Sequence, residues 1–124
     1  MSPIFEAEAE TYSSGTRGRA LGKIRTNHFV ADDPALPGYD GPGEAPNAAE
    51  LFLSGITACA VLMLERIARA EDLPLERLHV AMEASRDTES GRQPPTFDRA
   101  RMTFRLWGLT DEQAGQLVER FKGR

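Results

Sequence analysis

The stretch from Glu50 to Leu64, E-L-F-L-S-G-I-T-A-C-A-V-L-M-L, is apolar nearly all round when wound as a helix. A helix of that kind must be covered on most of its sides. A chain of 124 residues can bury a real core as one domain, residues 1–124. It would struggle to enclose such a helix alone, so the sequence predicts a second subunit. The helix start is marked by Asn47 as N-cap and Glu50 three residues on, the arrangement of a capping box. The pattern predicts a helix running to about Ala70, with only its last part, around Glu65, Arg66 and Arg69, in solvent. The run from Leu51 to Leu64 is shorter than a membrane span, and Ser54, Gly55 and Thr57 interrupt it, which argues against a membrane protein.

The flanking segments read as strands and one further helix. From Ile4 to Thr11 the residues alternate, with Phe5, Ala7 and Ala9 on one face and Glu6, Glu8 and Glu10 on the other, the pattern of a half-buried strand. Ser13-Ser14-Gly15 supplies a turn, and Arg17–Val30 reads as one or two strands. Residues 32–46 hold four prolines and three glycines, which exclude helix and central strand. A loop of that length is either functional, wrapped on a partner, or a plain connector. Leu78–Ala84 alternates again; after a polar loop with Gly91 and Pro94-Pro95, so does Ala100–Leu106, with Arg99, Arg101 and Arg105 facing outward. These arginines could face Glu6, Glu8 and Glu10 across neighbouring strands, or the two sets could be separate solvated faces. Thr110 and Gln113 form a second capping box, opening a helix whose buried stripe is Ala114, Leu117, Val118 and Phe121. The fold class is therefore α+β, an antiparallel sheet packed on a long buried central helix.

Charge and composition narrow the function. A formal net charge of −4 makes a nucleic-acid partner unexpected. A single cysteine forms no internal disulfide, and the N-terminus lacks the basic and apolar regions of a signal peptide, so a reducing, cytoplasmic setting is expected. His28 and His79 are far apart and not at metal-ligand spacing with Cys59, so neither a metal nor a cofactor is expected. The glycines at 38, 41 and 43 lack the basic partner of a phosphate loop.

That leaves Cys59, the one cysteine, in the middle of the apolar run. It is either a small hydrophobe packed in the core or a nucleophile shielded from bulk water. Only the thiolate attacks, and apolar burial raises the thiol pKa, so a reactive Cys59 needs a cation. The helix dipole does not supply one, because Cys59 lies about three turns past the N-terminus. Arg17, Arg19 and Arg25 are the candidates, and an arginine can also present two donors to a peroxide oxygen.

The segment P-N-A-A-E-L-F-L-S-G-I-T-A-C-A resembles the central-helix signature of the OsmC/Ohr family, in which a Pro-x-Glu-x-Leu step leads into a cysteine-bearing helix. The element order is similar too, including L-P-L-E-R-L-H-V-A-M-E as the strand after the helix. The resemblance implies an intertwined homodimer with the central helices buried between sheets. It also implies reduction of organic hydroperoxides in oxidative-stress defence: Cys59 as peroxidatic thiol, Arg17 in G-T-R-G-R-A as its activator, and Glu50 as the associated carboxylate. Three departures stand out. The resolving cysteine usual in the family would follow the last helix, just where this chain reaches Arg124; either that segment lies beyond Arg124, or the protein works with one thiol and an external thiol or dithiol reductant is implied. Alignment on Leu51 puts Ala49 at the position of the family's glutamate and Glu50 one residue later, about half a turn from the Cys59 face. The arginine is fixed by no motif. A non-enzymatic member, a dimeric scaffold or apolar-ligand binder with an inert Cys59, is the competing expectation; a cysteine-dependent hydrolase is a distant third.

Overall fold

The computed structural model describes residues 5–87 and 97–123, so Ile4 and the loop containing Gly91 and Pro94-Pro95 lie outside the described residues. In chain order the elements are β1 (Glu10–Ser13), β2 (Arg19–Ile24), β3 (Asn27–Asp32), α1 (Ala48–Ala70), β4 (Arg77–Ser85), β5 (Arg99–Trp107) and α2 (Asp111–Lys122). All strand pairing is antiparallel and the class is α+β. The chain divides into two compact units, one reaching Phe52 and one beginning at Leu53.

The first unit holds the sheet β1-β2-β3. Arg17–Val30 resolves into two strands because Arg25 adopts φ 55° and turns the chain sharply between Ile24 and Asn27. In that register Gly22 faces Phe29, whose ring occupies the space a Cβ at 22 would need. The strand expected over Ile4–Thr11 begins only at Glu10. Glu10 pairs with Lys23, and β2 ends one residue later at Ile24, so among the described residues β2 offers nothing opposite the residues before Ala9. Phe5 is accordingly 91% exposed rather than half-buried.

In the second unit, β4 and β5 pair along their full length, and each sends alternate residues inward. Leu64, Ile67 and Ala68 of α1 and Leu117 of α2 form the buried centre, with Leu78, Val80, Phe104 and Leu106 packed against it. The Phe104 and Phe121 rings meet edge to face at 5.9 Å, a favoured aromatic geometry. Thr110 and Gln113 exchange the reciprocal capping bonds expected of them. Helix α1 ends on Asp72 at φ 55°, with the Leu73 N–H donating to Ala68 O at 2.8 Å, a Schellman-type stop that turns Leu73 back onto the core.

Two expectations change. Arg101 lies opposite Glu83 and makes its ion pair there; β1 and β5 belong to different sheets, so no strand pairing aligns Glu6, Glu8 and Glu10 with the arginines. The burial of α1 is also distributed differently. Its fully buried residues, Ala60, Leu64, Ile67 and Ala68, lie toward its C-terminal end, whereas Phe52 and Leu62 are 61% and 64% exposed. One chain covers one side of this helix. At 23 residues α1 is also long and apolar enough to cross a membrane by length and composition, longer than the Leu51–Leu64 run suggests; its C-terminal part, Leu64, Ile67 and Ala68, packs in the core of the second unit.

Candidate functional site

Cys59 sits in the second unit, on α1, with its side chain exposed. Gly55, Cys59 and Leu62 are spaced at i, i+4 and i+7, so they share one face of the helix. A Cβ at Gly55 would meet nothing within 4 Å, so that face is open around the thiol. The core side of the helix is held by Leu64, Ile67 and Ala68. The thiol therefore lies on an apolar surface without being sealed in the core of its own chain. Among the described residues, no cluster of three or more His, Cys, Asp or Glu could hold a metal ion.

The other candidate residues belong to the first unit. Glu50 forms the capping box in full: its Oε1 accepts the Asn47 N–H at 2.9 Å, and its own N–H donates to Asn47 Oδ1 at 2.8 Å. The local sequence dictates this, because the first N–H groups of a helix have no intrahelical acceptor. Arg25 occupies the β2–β3 turn, beside Glu8, Ala9, Glu10 and Lys23 in a shallow polar depression. Arg19 is committed elsewhere: its Nε and Nη2 donate to the two carboxylate oxygens of Asp32, each at 2.7 Å. Arg17 is exposed in the β1–β2 turn, as Arg25 is in the β2–β3 turn, and among the described residues Arg19 alone of the three is committed to a close ion pair within the first unit.

Asp32 was not singled out by sequence. It is 1% exposed and accepts both Arg19 donors together with the Ala45 N–H at 3.1 Å. The forked guanidinium holds the Asp32 carboxyl well below the ordinary carboxylate range; burial opposes this, and the Ala45 N–H adds to it. Arg19 is driven upward in turn, chiefly by its bond to Asp32. The signal was present in principle. A tight turn at Arg25-Thr26 sets the β2–β3 register, and that register places Arg19 directly opposite Asp32.

The segment after Asp32 is tied down along its length. The Asp32 N–H donates to Pro46 O at 2.9 Å, the Asp33 N–H to Gly18 O at 2.8 Å, and the Asp40 N–H to Arg17 O at 3.2 Å. The Tyr39 hydroxyl accepts the Gly43 N–H, and its ring fills the space beside Gly18 and Gly41. The plain-connector reading of residues 32–46 is thereby replaced by an ordered loop folded against the β1–β2 turn.

The family model described as OsmC-like protein matches residues 41–124, a span that includes Glu50 and Cys59 but not Arg17 or Asp32. Among solved structures, the organic hydroperoxide resistance protein OsmC of Legionella pneumophila aligns with a TM-score of 0.72 at 19% identity, covering 95% of this chain and 82% of that one. The OsmC-like protein of Mycoplasma pneumoniae aligns with a TM-score of 0.77 at 14% identity, covering 100% of this chain and 84% of that one. At these identities the likeness establishes the fold. No curated protein matches the sequence.

Proposed function

The chain belongs to the OsmC-like protein family, and from that premise we propose that it reduces organic hydroperoxides through the thiol of Cys59. The observation that carries this reading is the open placement of the chain's one cysteine on the apolar face of α1, inside the segment that matches the family. The hydroperoxide-resistance name of the Legionella relative supports the choice of substrate class. In the proposed step the Cys59 thiolate attacks the distal oxygen of the hydroperoxide. An S–O bond forms, the O–O bond breaks, and the alkoxide takes up a proton to leave as the alcohol. Cys59 is oxidised to the sulfenic acid. Two thiol equivalents from an external thiol or dithiol then return it to the thiol, releasing water and a disulfide. Arg17 is the proposed activator, its fixed charge favouring the thiolate and its donors receiving the peroxide oxygen. Glu50 is the proposed carboxylate that orients the arginine, in addition to its capping bond.

The same reading assigns a second copy of the chain to the apolar face of α1, where Leu62 and Phe52 stand in solvent in one chain. An apolar cover around Cys59 would favour lipid-like hydroperoxides over hydrogen peroxide. A cytoplasmic, reducing setting suits a free thiol that must be regenerated. A second reading, an inert scaffold or apolar-ligand binder, is favoured by one observation: Glu50 is already engaged at the helix cap. Cys59→Ser separates the two. The peroxidase reading predicts complete loss of hydroperoxide turnover in that variant; turnover that survives the substitution contradicts it.

A further inference from the structure

The ordered 33–46 loop carries the Arg19–Asp32 ion pair at its base and takes no part in the proposed thiol chemistry itself. Four observations bear on it, all within the first unit. The carboxylate of Asp32 holds both Arg19 and the Ala45 N–H, so the strand end and the loop end close on one buried group. The Asp33 N–H on Gly18 O and the Asp40 N–H on Arg17 O tie the loop to the turn that carries Arg17. Tyr39 packs against Gly18, and φ there is 87°, a conformation glycine adopts freely. The Arg17 side chain then crosses Gly38, where an added Cβ would lie 2.8 Å from Arg17 Cδ and 3.1 Å from Nη1.

We propose that Asp32 is a positioning residue for Arg17: through its bonds to Arg19 and Ala45 it closes the 33–46 loop into a bracket that grips the Arg17 turn, with Gly38 as the floor under the guanidinium stem. The proposal rests on the reading of Arg17 as the activator of Cys59. A bracket of this kind answers a physical need. Holding a free arginine on a turn against a target costs up to about 2 kcal/mol of its rotamer freedom. Restricting the backbone at both sides of Arg17 and closing one side of its stem removes much of that freedom before substrate arrives.

The test has two readouts on the full-length protein. The first is limited trypsin digestion, comparing cleavage after Arg17 with cleavage after Lys23 and Arg25 of the same sheet. Asp32→Asn is expected to raise cleavage after Arg17 selectively, by about ten-fold or more, as losing a charge-assisted bond opens the bracket locally. Unchanged cleavage there, or an equal rise at all three sites, overturns the proposal. The second is the rate of Cys59 with cumene hydroperoxide divided by its rate with iodoacetamide, which cancels simple access to the thiol. This ratio is expected to fall about ten- to hundred-fold in Asp32→Asn. Gly38→Ala, which touches neither Arg19 nor Asp32 but strains the backbone at φ 81° and displaces the Arg17 stem, is expected to lower the same ratio. A merely structural Asp32 would lower thermal stability and leave the ratio unchanged, and that result overturns the proposal. If wild-type Cys59 is not oxidised at all, the peroxidase reading fails, and the digestion still decides whether the bracket exists.

Discussion

Leu62→Glu is the sharpest perturbation of the proposed assembly. In one chain Leu62 is 64% exposed, and a substitution at so exposed a site away from special features normally changes stability by about 0.5 kcal/mol or less. If a second copy covers this face, the result is different. Full burial of a leucine side chain contributes about 1.5–3 kcal/mol. The 64% left exposed in one chain then corresponds to about 1–2 kcal/mol per copy, or about 2–4 kcal/mol across a twofold interface. At 1.4 kcal/mol per tenfold, the dimer dissociation constant rises from about thirty-fold to several hundred-fold. The buried glutamate charge adds to that loss. Light scattering coupled to size exclusion across a dilution series measures the effect directly. A wild-type dimer and a Leu62→Glu monomer of unchanged circular dichroism are expected. A variant that stays dimeric at the wild-type dissociation constant refutes the assignment of α1 to the interface.

Two further outcomes concern the individual units. Asp72 holds φ 55° at the end of α1, a conformation that costs a non-glycine residue about 1–2 kcal/mol; Asp72→Gly, after its own loss of chain entropy, is expected to raise stability by about 0.5–1 kcal/mol in urea unfolding. The second concerns acid. Because the folded-state pKa of Asp32 is depressed, its contribution is full above the ordinary carboxylate range near pH 4 and is lost as pH falls below it, where the unfolded chain binds the extra proton. Arg19 is shifted upward and stays charged throughout, so the acid-side loss belongs to the carboxylate. Urea midpoints between pH 7 and pH 2 are expected to fall less steeply for Asp32→Asn than for wild type, and parallel curves would contradict this.

Where local chemistry decides structure, the sequence was sufficient. Both capping boxes, Asn47 with Glu50 and Thr110 with Gln113, form as their spacing predicts, and β4 and β5 follow their alternation. The N-terminal strand was misplaced because alternation over residues 5–9 says nothing about whether a partner strand reaches that far; β2 stops at Ile24. The Arg19–Asp32 pair is not written in local sequence for a related reason. It exists only through a hairpin register that depends on Arg25 adopting φ 55°, which composition does not announce. Proline and glycine content left the 32–46 loop open between a functional loop and a plain connector, because its order comes from Asp32, Tyr39 and backbone bonds to residues 17 and 18, not from any periodicity. Of the candidate site, the helix that carries Cys59 was legible; its thiol is exposed in one chain, because the helix residues buried by this chain are Ala60, Leu64, Ile67 and Ala68 rather than its neighbours Gly55 and Leu62. Of Arg17, Arg19 and Arg25, the commitment of Arg19 to Asp32 is set by the β2–β3 register and is not written in local sequence.

The central claim is that Cys59 is a peroxidatic thiol, and intact-protein mass spectrometry after brief exposure to cumene hydroperoxide tests it most directly. With dimedone present to trap the sulfenic acid, the account predicts one adduct per chain, mapped to Cys59 and formed faster than on a free cysteine peptide under the same conditions. A thiol that remains unmodified while the free peptide is oxidised would contradict it.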